Sequence, residues 1–520
     1  MWPLTGKEIY EAILEKSCPL ESLENIELIG VCTDSRKIKP QQFFVALQGD
    51  NFDGHSYLQE CFEKETPLAL VNKDSKFLND LKPEFREKCI EVESVLNSFR
   101  AFAQFMRHRF PFPVIGIGGS NGKTTTKEML ASLLSGPNYK VTKTQKSENG
   151  FLGLAITLCQ EEHNIKDQPH ALVLEIGIDE IGAMQQHVDL SEPDISVLTA
   201  LGPEHLEKLK NWETAANEEL FLFRNAYTTR IWQLADDRIL TGFTHDINIQ
   251  YRGKVTHHEY PLSIEKDFLV IEKSEFEQEY TQREFIFENT ERTLVWEVIN
   301  ESTTKSEIKL EIFSKEGKLF TENNLVYEIP LPGKHNAANF ALAFATAIKM
   351  KRTPREISEG WKNFTPPPMR SKISTLKNGA ILFDDTYNAS PMSIEAALNT
   401  IENKEWISKS KLIILGDMLD LGSESKYWHE LLFHPLKNLQ SSYLCLYGSA
   451  MYDCYKLLKE TEDTLLKENN TRIFWLAAEE DPVAFLSYEG IDLSQFVILI
   501  KGSRGMKLDR LVKVIEEKCC

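Results

Sequence analysis

The sequence lacks the features of a secreted or membrane-inserted protein. Its nine cysteines are scattered without a Cys-x-x-Cys pair, and only Cys519 and Cys520 are adjacent. That distribution is neither a disulfide framework nor a zinc-binding pattern. No apolar run approaches the roughly 18 residues of a membrane span, and the first segment, MWPLTGKEIY, has no apolar core of signal-peptide length. We therefore expect a cytoplasmic protein with no membrane insertion.

Positively charged residues are fewer than negatively charged ones. Lysine and arginine together number 59 against 78 aspartates and glutamates, which gives a formal net charge of −19. A surface of that sign disfavours binding to nucleic acid, so an anionic ligand needs a local basic pocket. The length of 520 residues, with 42% hydrophobic and 26% charged residues, is typical of a globular chain of about three domains.

The clearest signal is the stretch from Pro113 to Glu128, PVIGIGGSNGKTTTKE. An apolar run leads into a glycine-rich turn and then into a segment with helical character. Glycines let backbone N–H groups approach an anion, and a helix N-terminus adds positive potential. The strict P-loop pattern requires glycine where Ile117 stands, so the match is imperfect. The alternative, an ordinary turn with a surface lysine, does not explain so many glycines beside GKTTT.

This loop predicts that the protein binds nucleotide phosphates. Lys123 can reach the β- and γ-phosphates, and the Thr124 hydroxyl can ligate Mg²⁺. The loop residues that we expect to bind the nucleotide are Gly119, Ser120, Asn121, Gly122, Lys123, Thr124 and Thr125.

Apolar runs of strand length alternate with helical segments through most of the chain. Runs such as ALVLEIGID and DISVLTALG end in polar turns, which fits buried parallel strands. Between about 240 and 330 the pattern changes to charged β-alternation, which we interpret as antiparallel sheet extending the central domain. After the linker-like segment TPPPMR, four more apolar runs predict a smaller Rossmann-like domain. The predicted fold is α/β in three domains, 1–110, 111–366 and 367–520, with a doubly wound central domain.

Two polar residues follow apolar runs of the central domain. Glu175 ends LVLE and can supply a hard oxygen ligand to a phosphate-bound Mg²⁺, whereas His205 in GPEHLE can touch the metal directly or through water. The ordinary alternatives are a solvent-exposed carboxylate at a strand end and a structural histidine at a helix start.

Several segments, in this order and spanning essentially the full length, resemble the Mur ligases of peptidoglycan synthesis. They are TDSRKIKPQQFFVALQGDNFDGH, GSNGKTTTKEM, ENGFLGLAITL, LEIGIDEIGAM, GPEHLE, LPGKHNAAN, DDTYNASPMS, ILGDMLDLG and IKGSRGMKLD. Within the family, DDTYNASP, GDMLDLG and KGSRG are typical of the ligase that adds D-alanyl-D-alanine.

The resemblance implies an ATP-dependent amide ligase that uses Mg²⁺ and acts as a monomer. Its substrates would be UDP-N-acetylmuramoyl-tripeptide and D-alanyl-D-alanine, and the product would be the pentapeptide precursor of peptidoglycan. In that scheme the domain 1–110 binds the UDP-sugar-peptide, 111–366 binds ATP, and 367–520 is the closing ligase domain. Lys123, Glu175 and His205 are then the catalytic residues, and Thr124, Glu175 and His205 the metal ligands.

The resemblance also implies roles for residues outside the loop. Ser35 and Arg36 would face the UDP moiety, and His335 and Asn336 the adenine. One of Asp384 and Asp385, with Asp385 the stronger candidate, would order the ribose or a Mg²⁺-bound water. The remaining candidates are expected to contact phosphate, ATP or the dipeptide, with packing or solvated-turn roles as the alternatives: Arg370, Tyr387, Asn388, Lys501 and Arg504.

Three positions depart from the family pattern. Asn217 aligns with a lysine that the family usually carries in carbamylated form, Ala200 with an asparagine at a strand end, and Asp179 with another asparagine. We hypothesise that Asn217 contributes a neutral oxygen or leaves room for an ion, with Glu218 and Glu219 as neighbours. A different ligase of the same architecture, such as a folylpolyglutamate synthetase or the ligase adding the third residue, is one alternative. A nucleotide-binding scaffold without activity is another.

Overall fold

The protein is described here as a computed structural model. The structure describes residues 2–19, 21–49, 52–145, 148–160, 168–223, 229–233, 268–274, 291–302, 304–314, 317–318, 325–406, 409–437, 439, 441, 443–460, 471–480, 482, 493–494 and 496–518.

The described strands are numbered in chain order. They are β1 Leu4–Thr5, β2 Glu27–Leu28, β3 Gly30–Cys32, β4 Gln42–Val45, β5 Gln48–Gly49, β6 Phe52–Asp53, β7 Leu68–Asn72, β8 Cys89–Val92, β9 Val114–Gly118, β10 Lys140–Lys143, β11 His170–Glu175, β12 Ile195–Leu198, β13 Thr229–Gln233, β14 Phe268–Glu272, β15 Arg292–Glu301, β16 Ser306–Ser314, β17 Gly317–Lys318, β18 Val326–Ile329, β19 Lys372–Thr375, β20 Ile381–Asp385, β21 Lys411–Gly416, β22 Tyr443–Tyr447, β23 Arg472–Leu476 and β24 Val497–Lys501.

The described α-helices are numbered in the same way. They are α1 Gly6–Leu14, α2 Leu58–Glu63, α3 Pro83–Arg86, α4 Val95–His108, α5 Lys123–Leu134, α6 Phe151–Leu158, α7 Ala183–Ser191, α8 Leu206–Leu209, α9 Trp212–Leu220, α10 Lys334–Lys349, α11 Pro354–Trp361, α12 Pro391–Ile401, α13 Ser425–Leu431, α14 Phe433–Leu436, α15 Met451–Glu460 and α16 Asp509–Lys518. None of these helices is both long and apolar enough to cross a membrane.

The chain forms two compact units. The first comprises Met1–Gly116, Ser135–Ile176 and Gln185–Asp194, and the second comprises Ile117–Leu134, Gly177–Met184 and Ile195–Cys520. These units do not test the predicted boundaries 1–110, 111–366 and 367–520, which stay a prediction.

The first unit contains a four-stranded parallel sheet in the order β3-β4-β7-β8. Helix α4 shows why its segment was predicted as a helix, because Phe99, Phe102, Ala103 and Met106 recur at helical spacing and are all buried. The Ser94 hydroxyl accepts a hydrogen bond from the Asn97 N–H and so caps the start of α4. The same unit holds the parallel pair β10 and β11, which ends at Glu175.

In the second unit, strands β12 to β15 pair in parallel in chain order, and β16 continues the sheet antiparallel to β15. The predicted antiparallel extension is therefore found from β15 onward, with β18 also antiparallel to β16. For β14, which lies in the same stretch, the prediction is wrong, because this strand is parallel to both β13 and β15. Strand β16 shows the expected alternation of buried and half-buried residues. Much of the stretch predicted as antiparallel sheet, including residues 240–267 and 275–290, lies outside the described residues.

The second unit also contains a six-stranded sheet in the order β19-β20-β24-β21-β22-β23, parallel except for the edge strand β19. The four apolar runs that predicted a Rossmann-like sheet are β20, β21, β22 and β24. Its central strands β20 and β24 place Asp385 directly opposite Lys501. The register therefore brings two predicted site residues together at the carboxyl edge of the sheet.

Candidate active site

The glycine-rich stretch forms the predicted strand, turn and helix: β9 ends at Gly118 and α5 begins at Lys123. Gly119 and Gly122 adopt φ values of +112° and +91°, which residues with a side chain rarely adopt. A Cβ atom at Gly119 would lie 2.3 Å from the Thr199 Oγ1, and one at Gly122 would lie 2.4 Å from the Asn339 Oδ1. Backbone conformation and close packing both require glycine at these positions.

Hydrogen bonds join the loop to the residues that follow β12. The N–H groups of Ser120 and Asn121 donate to the Ala200 carbonyl at 2.8 and 3.2 Å, and the Gly202 N–H donates to the Ser120 hydroxyl at 2.9 Å. Ala200 therefore holds the loop in place through its backbone carbonyl oxygen, without needing a polar side chain. The first turn of α5 directs its backbone N–H groups towards the loop, which is the arrangement that favours an anion.

Lys123 is buried inside the loop and surrounded by oxygens. Its Nζ donates to the Gly119 carbonyl, lies 3.2 Å from the Glu204 Oε1, and lies 3.7 Å from the Glu219 Oε1. The Gly119 N–H donates to the Glu219 Oε2 at 2.6 Å. Two carboxyl groups thus converge on the loop's ammonium group from different elements, Glu204 before α8 and Glu219 within α9.

These two carboxyl groups are shielded from water. Burial raises the pKa of Glu204 to about 8, against the opposing effect of Lys123. Burial likewise raises the pKa of Glu219, against the opposing effects of Lys123 and of the hydrogen bond from Gly119. A cation beside the pair therefore favours its ionised form.

Glu175 lies at the end of β11 in the first unit. Its side chain is buried, its Oε1 accepts from the Asn149 Nδ2 at 3.2 Å, and its backbone N–H donates to the Thr144 hydroxyl at 2.9 Å. The alternative of a solvent-exposed strand-end carboxylate is therefore wrong. A buried carboxylate held by an amide is able to serve as a metal ligand.

His205 immediately precedes the short helix α8 and has a φ of +52°. Its Nδ1 lies 3.9 Å from the Asp420 Oδ2. Burial, with a smaller contribution from Lys123, lowers the pKa of His205, so the neutral ring is favoured and can offer a nitrogen lone pair. His205 therefore lies at the start of a helix, as the alternative of a structural histidine expected. Its role as a metal ligand stays a prediction.

His335 and Asn336 begin helix α10 after the turn at Gly333, whose φ is +95°. Asn336 is buried and donates through its Nδ2 to the Pro332 carbonyl at 2.7 Å. Burial lowers the pKa of His335 to about 4, with Asp385 opposing and Lys501 reinforcing the effect. The structure thus brings His335 near the pair formed by Asp385 and Lys501.

Asp385 and Lys501 form a buried ion pair of 2.5 Å, and Asp385 also accepts from the Ser371 N–H at 2.9 Å. Lys501 donates in addition to the Asn388 carbonyl at 3.0 Å. Asp384 instead bonds the Thr386 hydroxyl at 2.7 Å. Of the two aspartates, Asp385 is therefore the one that faces other predicted site residues.

Arg370 and Tyr387 stack on each other, with the guanidinium carbon 4.0 Å from the ring centroid. Arg504 is largely exposed and lies 3.5 Å from the Asp509 carboxylate, and one of its guanidinium nitrogens is 3.3 Å from the Met369 sulfur. Arg370, Tyr387 and Arg504 thus have a local packing contact each, and their ligand contacts stay predictions.

Ser390, which follows the YNA motif, makes a contact that the sequence did not predict. Its hydroxyl donates to the Asn121 Oδ1 at 2.9 Å, and it also accepts from the Ser393 N–H as the cap of α12. Nearby, a Cβ atom at Gly202 would lie 2.4 Å from the Met392 sulfur. The segment after β20 therefore packs directly on the phosphate loop.

Ser35 and Arg36 belong to the first unit. Ser35 is buried and its carbonyl accepts from the Lys64 Nζ at 3.0 Å, while Arg36 is exposed and bonds both oxygens of Asp34 at 2.8 and 2.9 Å. A cavity of about 490 Å³ in the same unit is lined by other residues: Leu47, Gln48, Gly49, Asn72, Ser94, Val95 and Leu96.

Comparison with known proteins finds similarity to Mur ligases over most of the chain. Residues 117–347 match the family described as the Mur ligase middle domain. The UDP-N-acetylmuramoyl-tripeptide–D-alanyl-D-alanine ligase of Bacillus subtilis (strain 168) is 28% identical over 505 residues, covering 95% of this chain and 94% of that protein. The ligase of the same name from Rickettsia prowazekii is 27% identical and covers 95% and 96%.

The fold agrees as well. A crystal structure of MurF from Acinetobacter baumannii superimposes with a TM-score of 0.74 at 19% identity, covering 99% of both chains. The MurF ligase of Thermotoga maritima in complex with ADP gives 0.65 at 19% identity, over 94% and 97%. Over most of its length the chain is therefore similar to ligases of the Mur family. The predicted α/β fold with three-domain Mur ligase architecture is confirmed.

The three departures from the family pattern have different surroundings. Asn217 is exposed on α9, whereas Glu219 on the same helix is buried against the loop. Asp179 lies 3.2 Å from the exposed Lys208. Glu219, rather than Asn217, contacts the loop. The hypothesis that Asn217 contributes a neutral oxygen or leaves room for an ion stays a prediction.

Glu204 and Glu219 were not among the predicted site residues, although Glu219 was noted as a neighbour of Asn217. A signal for Glu219 was present in the sequence. In α9 it shares the helix face of Ala215 and Ala216, and a carboxylate on an apolar face indicates either a buried partner or a site. No comparable signal marks Glu204.

Proposed function

We propose that this Mur ligase joins the amine of D-alanyl-D-alanine to the carboxylate of UDP-N-acetylmuramoyl-tripeptide and forms ADP and phosphate. The observation that carries the proposal is the similarity over 505 residues to the Bacillus subtilis ligase of that name. Asp385 and Ser390 lie in DDTYNASP and Lys501 lies in KGSRG, two of the motifs that distinguish this ligase by sequence.

The reaction has two balanced steps. A carboxylate oxygen of the tripeptide attacks the γ-phosphorus of ATP, ADP leaves, and an acyl phosphate forms. The dipeptide amine then attacks the acyl carbon, inorganic phosphate leaves, and the nitrogen loses a proton. No covalent protein intermediate is needed, so the protein acts by positioning and by stabilising charge.

Within this scheme the backbone N–H groups of the loop and Lys123 bind the phosphates of ATP. His335 and Asn336 lie on the adenine side, and Asp385 and Arg370 on the ribose and phosphate side. Tyr387, Asn388, Lys501 and Arg504 take ATP or the dipeptide, and Ser35 and Arg36 take the UDP group. These assignments rest on the motif matches.

Mg²⁺ fits the donors that the chain offers. This ion keeps several waters and is usually held by one or two carboxylates together with substrate phosphates. The absence of a three-residue His, Cys, Asp or Glu cluster among the described residues is therefore compatible with Thr124, Glu175 and His205 as separate contributors. When bound, the ion neutralises charge on the transferred phosphate.

The deciding experiment measures ADP formation by the purified protein with UDP-N-acetylmuramoyl-tripeptide and ATP. We expect ADP formation to require D-alanyl-D-alanine and to fail with single amino acids. Turnover with a single amino acid instead would assign another ligase of this architecture. ATP binding without substrate-dependent ADP formation would indicate a scaffold. The same proposal places the enzyme in the cytoplasm as a monomer. Size-exclusion chromatography with light scattering measures the molar mass and so checks the monomeric state.

A further inference from the structure

The turn that follows β21, residues 417–421 of the motif GDMLDLG, is hydrogen-bonded to a neighbouring motif. The Ser503 N–H of KGSRG donates to the Asp417 carbonyl at 3.2 Å, and the Leu419 N–H donates to the Ser503 hydroxyl at 2.8 Å. The same hydroxyl lies 3.5 Å from the Ala389 carbonyl of DDTYNASP. The three motifs that are typical of the D-alanyl-D-alanine ligase thus meet at one serine side chain.

The other end of the turn contacts the segment that follows His205. The Glu207 N–H, in the first turn of α8, donates to the Asp420 carbonyl at 3.0 Å. A Cβ atom at Gly422, whose φ is +53°, would lie 2.7 Å from the Glu207 Cα. The backbones of the two segments are therefore in direct contact, so the conformation of the turn bears on the position of α8.

His429 of α13 holds the middle of the turn. The Met418 N–H donates to the His429 Nε2 at 3.0 Å, and the His429 Nδ1 lies 2.7 Å from the Ser425 carbonyl. Because a backbone N–H can only donate and a carbonyl can only accept, the ring carries its proton on Nδ1 and leaves Nε2 as the acceptor. Burial lowers the pKa of His429, against the opposing effects of the Ser425 carbonyl and nearby aspartates, which favours this neutral ring.

The hydrogen bond between Met418 and His429 is buried at both ends. His429 is 0% exposed and Met418 is 1% exposed. A buried N–H group without an acceptor is costly, so the turn would have to move to pair the Met418 N–H if the imidazole were lost. The imidazole therefore determines the conformation of the turn as well as adding stability.

We propose that His429 is a positioning residue for the dipeptide substrate, because through Met418 it holds the turn 417–421 in the conformation at which the three motifs meet. The phosphate loop is held from elsewhere, by the Ala200 carbonyl and the Ser390 hydroxyl. His429 should therefore affect the use of D-alanyl-D-alanine and leave nucleotide affinity unchanged. The identity of the substrate rests on the proposed function, whereas the connection between His429 and the turn does not.

The test compares two variants that each keep one half of the imidazole. A glutamine amide reaches the place of Nε2, so His429→Gln keeps an acceptor for the Met418 N–H. An asparagine amide reaches only the place of Nδ1, so His429→Asn keeps the donor to Ser425 and loses that acceptor. We expect KM for D-alanyl-D-alanine to rise about tenfold in His429→Asn and to stay near the wild-type value in His429→Gln. The dissociation constant of ADP, measured by calorimetry, should be the same in all three proteins.

Hydrogen exchange followed by mass spectrometry gives a second readout that needs no activity. The backbone amides of 417–421 should exchange about tenfold faster in His429→Asn than in the wild type or His429→Gln, because the Met418 N–H loses its acceptor. His434→Asn, at an exposed histidine of α14, is the matched control and should change neither measurement.

Equal behaviour of His429→Gln and His429→Asn in both measurements would overturn the proposal. A lower free energy of unfolding in His429→Asn with an unchanged KM would leave His429 a purely structural residue and would also overturn it. If His429→Asn does not fold by circular dichroism, Ser503→Ala decides, since it removes the acceptor of the Leu419 N–H from the same turn and should raise KM for the dipeptide alone. A wild type without D-alanyl-D-alanine-dependent ADP formation would overturn the proposed function and the substrate named here, while exchange at 417–421 would still decide the role of His429.

Discussion

Among single residues, Lys123 makes several contacts within the phosphate loop. One ammonium group touches the Gly119 carbonyl and two carboxyls, inside a loop whose conformation depends on glycine. Its charge therefore lies inside the loop that we propose binds the transferred phosphate.

Replacing Lys123 with alanine is expected to lower kcat by about 10²- to 10³-fold, because one preorganised charge contact with the transferred phosphate is lost. The fold should remain, since Thr124 and the rest of α5 keep their packing. Steady-state ADP formation and circular dichroism measure the two effects. Lys208→Ala, at an exposed lysine on α8, is the matched control. Full activity of Lys123→Ala would refute its role.

The residue scale also shows where sequence reasoning ends. The glycines, Lys123 and Thr124 could be predicted because their order within one loop determines their chemistry. Glu204 and Ser390 could not, because their importance comes from contacts with residues distant in the chain. The contact of Glu219 with the loop was missed for a related reason: an alignment fixes a position along a helix, but the side that faces the loop depends on how the helix packs.

At the scale of elements, apolar runs bounded by polar turns correctly predicted most parallel strands and helix α4. Strand β23, Arg472–Leu476, was missed because it is a short run at the edge of its sheet, and edge strands carry a weaker burial pattern. The pairing of β20 with β24 could not be predicted from the sequence, and it is this register that joins Asp385 to Lys501.

Helix α12 has a cap with two functions, so its loss should have two effects. Ser390→Ala is expected to lower the free energy of unfolding by about 1 kcal/mol through the lost cap. It should also raise KM for ATP, because Asn121 in the phosphate loop loses its partner. Urea denaturation and steady-state kinetics measure the two effects.

The comparison for this variant is Ser94→Ala, which removes the cap of α4 and should cost similar stability without changing KM for ATP. Unchanged kinetics in Ser390→Ala would show that the contact with Asn121 has no part in nucleotide binding.

At the scale of the whole molecule, buried histidines make stability depend on pH. His170 is buried, and its hydrogen-bond partner is the Thr142 hydroxyl at 2.9 Å. Burial, reinforced by Lys140, lowers the pKa of His170 to about 4. The unfolded chain binds this proton near pH 6.5 and the folded chain does not, so stability is fully present above that pH and is lost as pH falls towards 4.

Between pH 7 and pH 5 we expect His170 to account for a loss of about 2 kcal/mol in the free energy of unfolding. His170→Gln should show a correspondingly smaller loss over the same interval, measured by urea denaturation at both pH values. His108→Gln, at a largely exposed ring in the same unit, is the control and should keep the wild-type loss. An equal pH dependence in His170→Gln and the wild type would contradict the assignment.

The hydrogen bond between Asn121 and Ser390 joins positions that are 269 residues apart in the chain. Neither residue can change freely without disturbing the other, because one shapes the phosphate loop and the other starts a helix. Substitutions at 121 and 390 should therefore be tolerated together more readily than singly. Deep mutational scanning of paired libraries at these two sites would show this as positive epistasis, a sign that evolution treats two distant motifs as one unit.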